Sequence, residues 1–331
     1  MMAKTFSNLP AVHSIDHFAL TVPDLSEARR FYELFGLDVV EEKAGSLALY
    51  ASGSDHRWAR LVKGPVKRLS YISFGAFVDD IAEMRKRVFE AGVTEIDPPE
   101  NVELDEGFWF RDLNGVPIQI LAAPKVTLDA KEIQRIVVSH QGIRNAPLRG
   151  ASPRVRPTRL SHLMIFVPDV AAAIDFYERG LGLDLSDSSD NAVAFMHARY
   201  GCDHHLLAFA KSTGAGYHHS SWDVPSFEHV GLGAAQMQEA GFDQGWGVGR
   251  HVLGSNYFYY ARDPWGSYAE YSYDIDYIPG GSNWVPTSPP AENSLSLWGP
   301  KPPSDFIINH EVEEAAQALA QSDVKSRPKA S

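Results

Sequence analysis

The stretch Arg159-Leu-Ser-His162-Leu-Met-Ile-Phe-Val-Pro-Asp169 decides how the whole chain is read, because the chain contains it twice. The earlier copy is Ile15-Asp-His17-Phe-Ala-Leu-Thr-Val-Pro-Asp24. In both, the histidine stands five residues before the valine and the aspartate two after it. An apolar run of this length predicts a β-strand, and the closing aspartate is placed to cap a following helix. A Phe-Tyr-Glu triplet repeats as well, at 31–33 and 176–178, seven residues after each aspartate. The copies lie 145 residues apart, the mark of an internal duplication.

Working outward, Asp24 with Glu27 forms a capping box, and Leu25, Ala28, Phe31, Tyr32 and Phe35 fall at helical spacing before a stop at Gly36. Strands follow at about 37–43, 46–52 and 58–64. A second unit opens at Leu69, with a helix from Asp80 to Glu90 and strands at 107–111 and 116–122 joined by Asp112-Leu-Asn-Gly115. The third starts at Leu160. Its helix carries Val170, Ala173, Ile174, Phe176 and Tyr177 and stops at Gly180/Gly182, with strands at 192–198 and 203–210. The fourth opens at Tyr217-His218-His219, with a helix at 226–240 and strands at 256–262 and 267–274 joined by Asp263-Pro-Trp-Gly266. The pattern predicts an α+β fold of four βαβββ modules in two pairs. The expected divisions are an N-terminal domain at 1–124 (modules about 11–67 and 68–124), a linker at 125–158 with a short helix or strand at 130–140, a C-terminal domain at 159–278, and an extension at 279–331 with a helix at 309–321.

At 331 residues the chain has room for two domains, and 44 % hydrophobic with 22 % charged residues is the composition of a soluble globular protein. A net charge of −12 speaks against nucleic acid or an anionic membrane as partner. The single cysteine, Cys202, excludes an intrachain disulfide and a Cys-based zinc site, and fits a reducing compartment. Residues 1–10 lack a basic segment followed by an apolar run, and no stretch of about 18 apolar residues occurs, so a cytoplasmic protein is expected. Thirteen histidines make that residue the place to look for chemistry.

Two histidines and a carboxylate on neighbouring strands can bind one face of a metal ion and leave three positions open. His162 opens the third unit, His219 opens the fourth five residues before Val224, and Glu270 lies seven residues after Asp263. A glutamate within Tyr268-Ala-Glu-Tyr-Ser-Tyr273 is costly to bury unpaired, and a dication would remove that cost; the alternative is an exposed edge with Glu270 facing water. Strand parity selects His219 over His218. The same register in the first half gives His17, Ser73 and Gln119, so that copy reads as a lapsed site. His205, His251 and Tyr260 are further candidates. For His204 and His205 the plain alternative is a polar turn at a strand start, and for Tyr260 it is packing.

Ser161-His162 with Val167-Pro-Asp169, His204-His205-Leu-Leu-Ala, Tyr217-His218-His219, Gly249-Arg-His251, the step to Tyr260, and Asp263-Pro-Trp-Gly266 through Glu270 together carry a resemblance. Over roughly residues 11–278 the chain resembles the type I extradiol ring-cleaving dioxygenases of the vicinal oxygen chelate superfamily, the group of catechol 2,3-dioxygenase. The resemblance implies cupped, half-open-barrel sheets and Fe(II), less often Mn(II), held by His162, His219 and Glu270. It implies that His205 is an acid/base beside bound dioxygen, and that His251 and Tyr260 contact the substrate hydroxyls. The implied partners are a catechol and O2, in a homo-oligomer, with a ring-opened semialdehyde as product. The competing readings are a hydroxyphenylpyruvate-type dioxygenase, a glyoxalase-like enzyme, and a ligand-binding module without chemistry.

Overall fold

The computed structural model describes residues 10–42, 45–99, 102, 107–131 and 139–312. Strand β1 (Val12–Val22) ends at Asp24, whose carboxylate accepts from the backbone N–H of Ser26 and Glu27 and so starts α1 (Leu25–Phe35). Gly36 ends that helix at φ 102°, and a Cβ there would sit 2.1 Å from the Val155 carbonyl. Strands β2 (Asp38–Glu42), β3 (Ser46–Tyr50) and β4 (Arg57–Lys63) complete the first unit. The second consists of β5 (Arg68–Ala76), a short turn at Val78–Asp80, α2 (Ile81–Glu90), β6 (Phe108–Arg111) and β7 (Pro117–Ala122). Among the described residues its expected third strand is reduced to one bridge, Glu95 to Phe110.

The second half repeats the plan. It runs β8 (Arg159–Val167), α3 (Val170–Phe176), β9 (Leu183–Ser189), β10 (Val193–Ala198), β11 (Cys202–Asp203) and β12 (Leu207–Lys211). Then come β13 (Gly216–Asp223), α4 (Phe227–Glu239), β14 (Gly245–Arg250), β15 (Tyr257–Arg262), β16 (Tyr268–Tyr273) and β17 (Tyr277–Ile278). The expected strand at 203–210 is in fact two: Cys202–Asp203 pairs with β17, the chain then breaks step through His204 and His205, and β12 begins at Leu207.

Two mixed sheets result, ordered β2-β3-β4-β1-β5-β7-β6 and β14-β15-β16-β13-β8-β12-β10-β9. In each, the opening strands of the two units run antiparallel at the centre, β1 with β5 and β8 with β13. The flanking partners β4, β7, β12 and β16 pair with them in parallel. Neither sheet closes into a barrel.

The helical segments that carry the repeated Phe-Tyr-Glu triplets join the halves. The Tyr177 hydroxyl donates to Oδ2 of Asp112 at 3.1 Å, in the turn of the second unit. On the other flank, the Phe35 ring stacks on Tyr271 at 4.0 Å and its carbonyl accepts from the Tyr271 hydroxyl at 2.7 Å. Each half thus packs its first helix against the other half's last strands. Between them Lys67 pairs with Asp263, both buried, with the ammonium 4.5 Å over the Tyr217 ring. The Glu311 carboxylate accepts from the backbone N–H of Leu69 at 2.9 Å and of Tyr217 at 2.8 Å, one from each sheet.

After β17 the extension lies along the C-terminal sheet, with Arg250 N–H donating to the Trp298 carbonyl at 3.0 Å. The expected helix at 309–321 is helical over the described His310–Val312, and the rest of it lies outside the described residues, as does most of 130–140. No helix among the described residues is long and apolar enough to cross a membrane.

Candidate active site

Three adjacent strands of the C-terminal sheet, β16, β13 and β8, supply the central donors. Ser221 on β13 sits opposite His162 on one side and Glu270 on the other, and His219 lies two residues earlier on the same face. The structure thereby brings His162, His219 and Glu270 together, all of them buried. Nε2 of His162 is 3.3 Å from Nε2 of His219 and 3.3 Å from Oε2 of Glu270, which is 3.5 Å from Nε2 of His219.

This donor set fits a divalent metal. Bonds of about 2.1 Å place neighbouring donors about 3.0 Å apart at right angles and about 3.4 Å apart at tetrahedral angles, close to the triangle seen here. Oε2 of Glu270, fully enclosed, has no hydrogen-bond partner, whereas Oε1 accepts from Asn256 Nδ2 at 3.0 Å. Burial pushes the Glu270 carboxyl up, but His162 and His251 outweigh it and hold the group below the ordinary carboxylate range. A buried, ionised carboxylate oxygen aimed between two imidazoles is a ligand in want of a cation.

His205, His251 and Tyr260 join the same cavity. The His205 ring is 4.0 Å from that of His162. Burial, then the neighbouring His162 and His204, push His205 well below the usual imidazole range, so it stands neutral at pH 7. Nε2 of His251 is 3.0 Å from the Tyr260 hydroxyl, and the Tyr260 ring meets that of His219 edge-on at 5.1 Å. Burial and the Glu270 charge hold the Tyr260 phenol protonated, far above its ordinary range. The cavity measures about 100 Å³. Most of its other walls are apolar, with Val193 and Phe195 from β10, Leu253 from the loop before β15, and Leu295, Phe306 and Ile307 from the extension.

Two sequence expectations need correction. His218 does not turn to the far face: the β8–β13 ladder slips between Tyr217 and His219, and this bulge brings His218 to the cavity as well. Its Nδ1 lies 2.7 Å from Nδ1 of His219, and its ring packs on Phe166 and Phe306. Asn256, the residue that sequence reasoning missed, is an asparagine just ahead of β15 and almost wholly buried; only its burial betrays the role.

The second correction concerns the N-terminal sheet. There Ser73 stands opposite His17 and Gln119, as Ser221 stands opposite His162 and Glu270. The counterpart of His219 is therefore Tyr71, two residues before Ser73, and not Ser73 itself. Nε2 of His17 is 3.1 Å from the Tyr71 hydroxyl, and Ser73 Oγ donates to Gln119 Oε1 at 2.8 Å. Trp109, opposite Gln119, takes the place of Tyr260, and Arg60, paired with Glu42 at 2.8 Å, takes that of Ala208. His17, Arg60, Tyr71 and Trp109 are all buried there.

Residues 14–120 and 159–271 each match the family described as the Glyoxalase/Bleomycin resistance protein/Dioxygenase superfamily. Metapyrocatechase 2 of Cupriavidus necator is 49 % identical over 303 residues, covering 91 % of this chain and 93 % of that protein. Among solved structures, the Mn(II)-bound glyoxalase from Novosphingobium aromaticivorans aligns with a TM-score of 0.72 at 23 % identity over 91 % of this chain and 95 % of that one. An extradiol ring-cleaving dioxygenase from B. fuscum aligns with a TM-score of 0.72 at 19 % identity over 92 % and 84 %. At such identities these two speak for the fold alone. Two matched sequence lengths, one on each sheet, and a relative of near-half identity along nine-tenths of the chain place the protein in one family: it belongs to the Glyoxalase/Bleomycin resistance protein/Dioxygenase superfamily.

Proposed function

We propose that the protein is an extradiol dioxygenase: it opens the ring of a catechol beside its two hydroxyls, inserts both atoms of O2, and releases a ring-opened semialdehyde. One observation supports this above others. A three-donor metal face, a neutral imidazole and a histidine–phenol pair all border one enclosed cavity with apolar walls. Fe(II), bound by His162, His219 and Glu270, would supply adjacent open positions for the diol and dioxygen and would acidify the diol hydroxyls.

The chain's own residues do the rest. Nε2 of His205 takes a proton from the diol and returns it as the ring opens, a task suited to an imidazole held neutral by burial. The Tyr260 phenol, kept protonated, donates to a substrate oxygen and is itself oriented by His251. Leu295, Phe306 and Ile307 cover the ring and keep water from the reacting carbons.

The relative's printed name, metapyrocatechase, points the same way. The test is anaerobic purification, metal analysis, and oxygen uptake on a panel of monocyclic and bicyclic catechols. One O2 consumed per diol, with a yellow product and no added 2-oxo acid, is expected. Uptake that requires a 2-oxo acid, or protein free of iron and manganese that still turns over, would reject the proposal.

A further inference from the structure

Behind His205 stand two side chains that the chemistry above does not use. His204 is wholly enclosed, with Nδ1 3.0 Å from Nδ1 of His205 and Nε2 2.7 Å from Oδ2 of Asp187. The other oxygen of Asp187, Oδ1, accepts from the Thr287 backbone N–H at 2.6 Å and from its hydroxyl at 2.7 Å. The His204 ring is wedged edge-on to Trp284 at 5.6 Å and leans on Phe195 at 5.8 Å. A continuous row, Thr287–Asp187–His204–His205, leads from the extension to the cavity.

One end of the row constrains where its hydrogens lie. Burial pushes the Asp187 carboxyl up, but contacts from His204 and Thr287 more than offset this, so it is ionised and can only accept. Nε2 of His204 must then carry a hydrogen. With His204 as a neutral imidazole, its second nitrogen, Nδ1, is an acceptor and takes its hydrogen bond from Nδ1–H of His205, 3.0 Å away. The nitrogen of His205 that His204 does not engage is then Nε2, on a ring that borders the cavity.

We infer that Asp187 and His204 are positioning residues that fix His205 as its Nδ1–H tautomer and so present a proton-accepting Nε2 to the bound diol. The inference rests on the reading of His205 as that proton acceptor, although the tautomer itself can be measured apart from it. It also ties the extension to the site, since the carboxylate that sets the tautomer is the one that holds Thr287.

Asp187→Asn tests it with little change of shape. The Thr287 N–H retains the amide oxygen at the Oδ1 position, which turns the amide NH2 toward His204 Nε2. The row then reverses, and His205 becomes the Nε2–H tautomer. Nitrogen-15 histidine NMR on the metal-free protein reads both states: Nδ1–H is expected in the parent and Nε2–H in D187N. On the metal-loaded enzyme, kcat should fall roughly 10–100-fold while KM stays within about twofold and metal content is unchanged. A merely structural role would move KM, metal content and Tm together. His204→Phe, which keeps a ring and needs no hydrogen bond, should release His205 into both tautomers. An Nδ1–H tautomer persisting in D187N and H204F would overturn the inference. Unchanged turnover in His205→Phe would instead reject the role of His205, leaving the tautomer result to decide this inference by itself.

Discussion

Nε2 of His17 and the Tyr71 hydroxyl, 3.1 Å apart, occupy the positions that His162 and His219 hold in the other sheet. The first sheet thus retains the geometry of a donor pair while replacing one donor with a phenol. Its third position, Gln119, has the shape of glutamate without the charge, and Ser73 binds it where Ser221 stands beside Glu270.

That relationship can be reversed. Tyr71→His with Gln119→Glu restores two imidazoles and a carboxylate in register, and metal titration should rise from about one to about two Mn(II) per chain. The second ion should add no turnover, because buried Arg60 and Trp109 stand where the other sheet has Ala208 and Tyr260. Stoichiometry left unchanged would mean that matching ladder positions do not suffice to make a site.

In the C-terminal sheet the decisive change is Glu270→Gln, which keeps volume and removes charge. Metal affinity should drop by more than about 100-fold, beyond the range usual for outer residues. Chelation should lower the Tm of the parent, because a ligand bound to the native state stabilises it, and should leave that of E270Q unaltered. Equal chelator sensitivity in the two proteins would argue that Glu270 is not a ligand.

Lys67→Met tests the seam between the halves. It leaves Asp263 buried with its ionic partner removed, at an expected cost of about 3–5 kcal/mol in denaturant unfolding. Activity per bound metal should survive, since neither residue reaches the cavity.

Acid sensitivity has an identifiable contributor in His197, which burial lowers to about 4 in the folded chain. Below pH 6.5 the unfolded chain takes up this proton first, so stability falls as pH drops from about 6.5 to about 4 and then levels. Above about pH 7.5 the group contributes no slope. His197→Asn should flatten the dependence of the urea midpoint between pH 7 and 5 by close to one proton. A parallel curve for parent and variant would exclude this residue.

Much of this was legible in the chain because duplication supplies its own control. Asp24 and Asp169 both cap helices as their sequence context predicts, and counting from the flanking valines and turns brought His162, His219 and Glu270 to one point. The same counting failed for Tyr71. Val224 directly follows the last residue of β13, whereas Val78 lies in an extra turn beyond β5, so the two valines are not equivalent markers. Local pattern also hid β9 and β14. The first, Leu-Asp-Leu-Ser-Asp-Ser-Ser, is mostly polar, and the second, Gly-Trp-Gly-Val-Gly-Arg, is half glycine; sheet pairing overrides both propensities. The bulge at His218 and the contacts of Asp187 and Asn256 are tertiary facts with no periodic signature.

The cavity's cover has a consequence for the order of manufacture. A chain made from its N-terminus has His162, His219 and Glu270 once Glu270 is joined, but Leu295 comes 25 residues later and Phe306 and Ile307 later still. At about 5–20 residues per second, translation separates the two events by about one to five seconds. During that interval the ligands exist without their lid. The gene's own order therefore makes the three donors before it makes their cover.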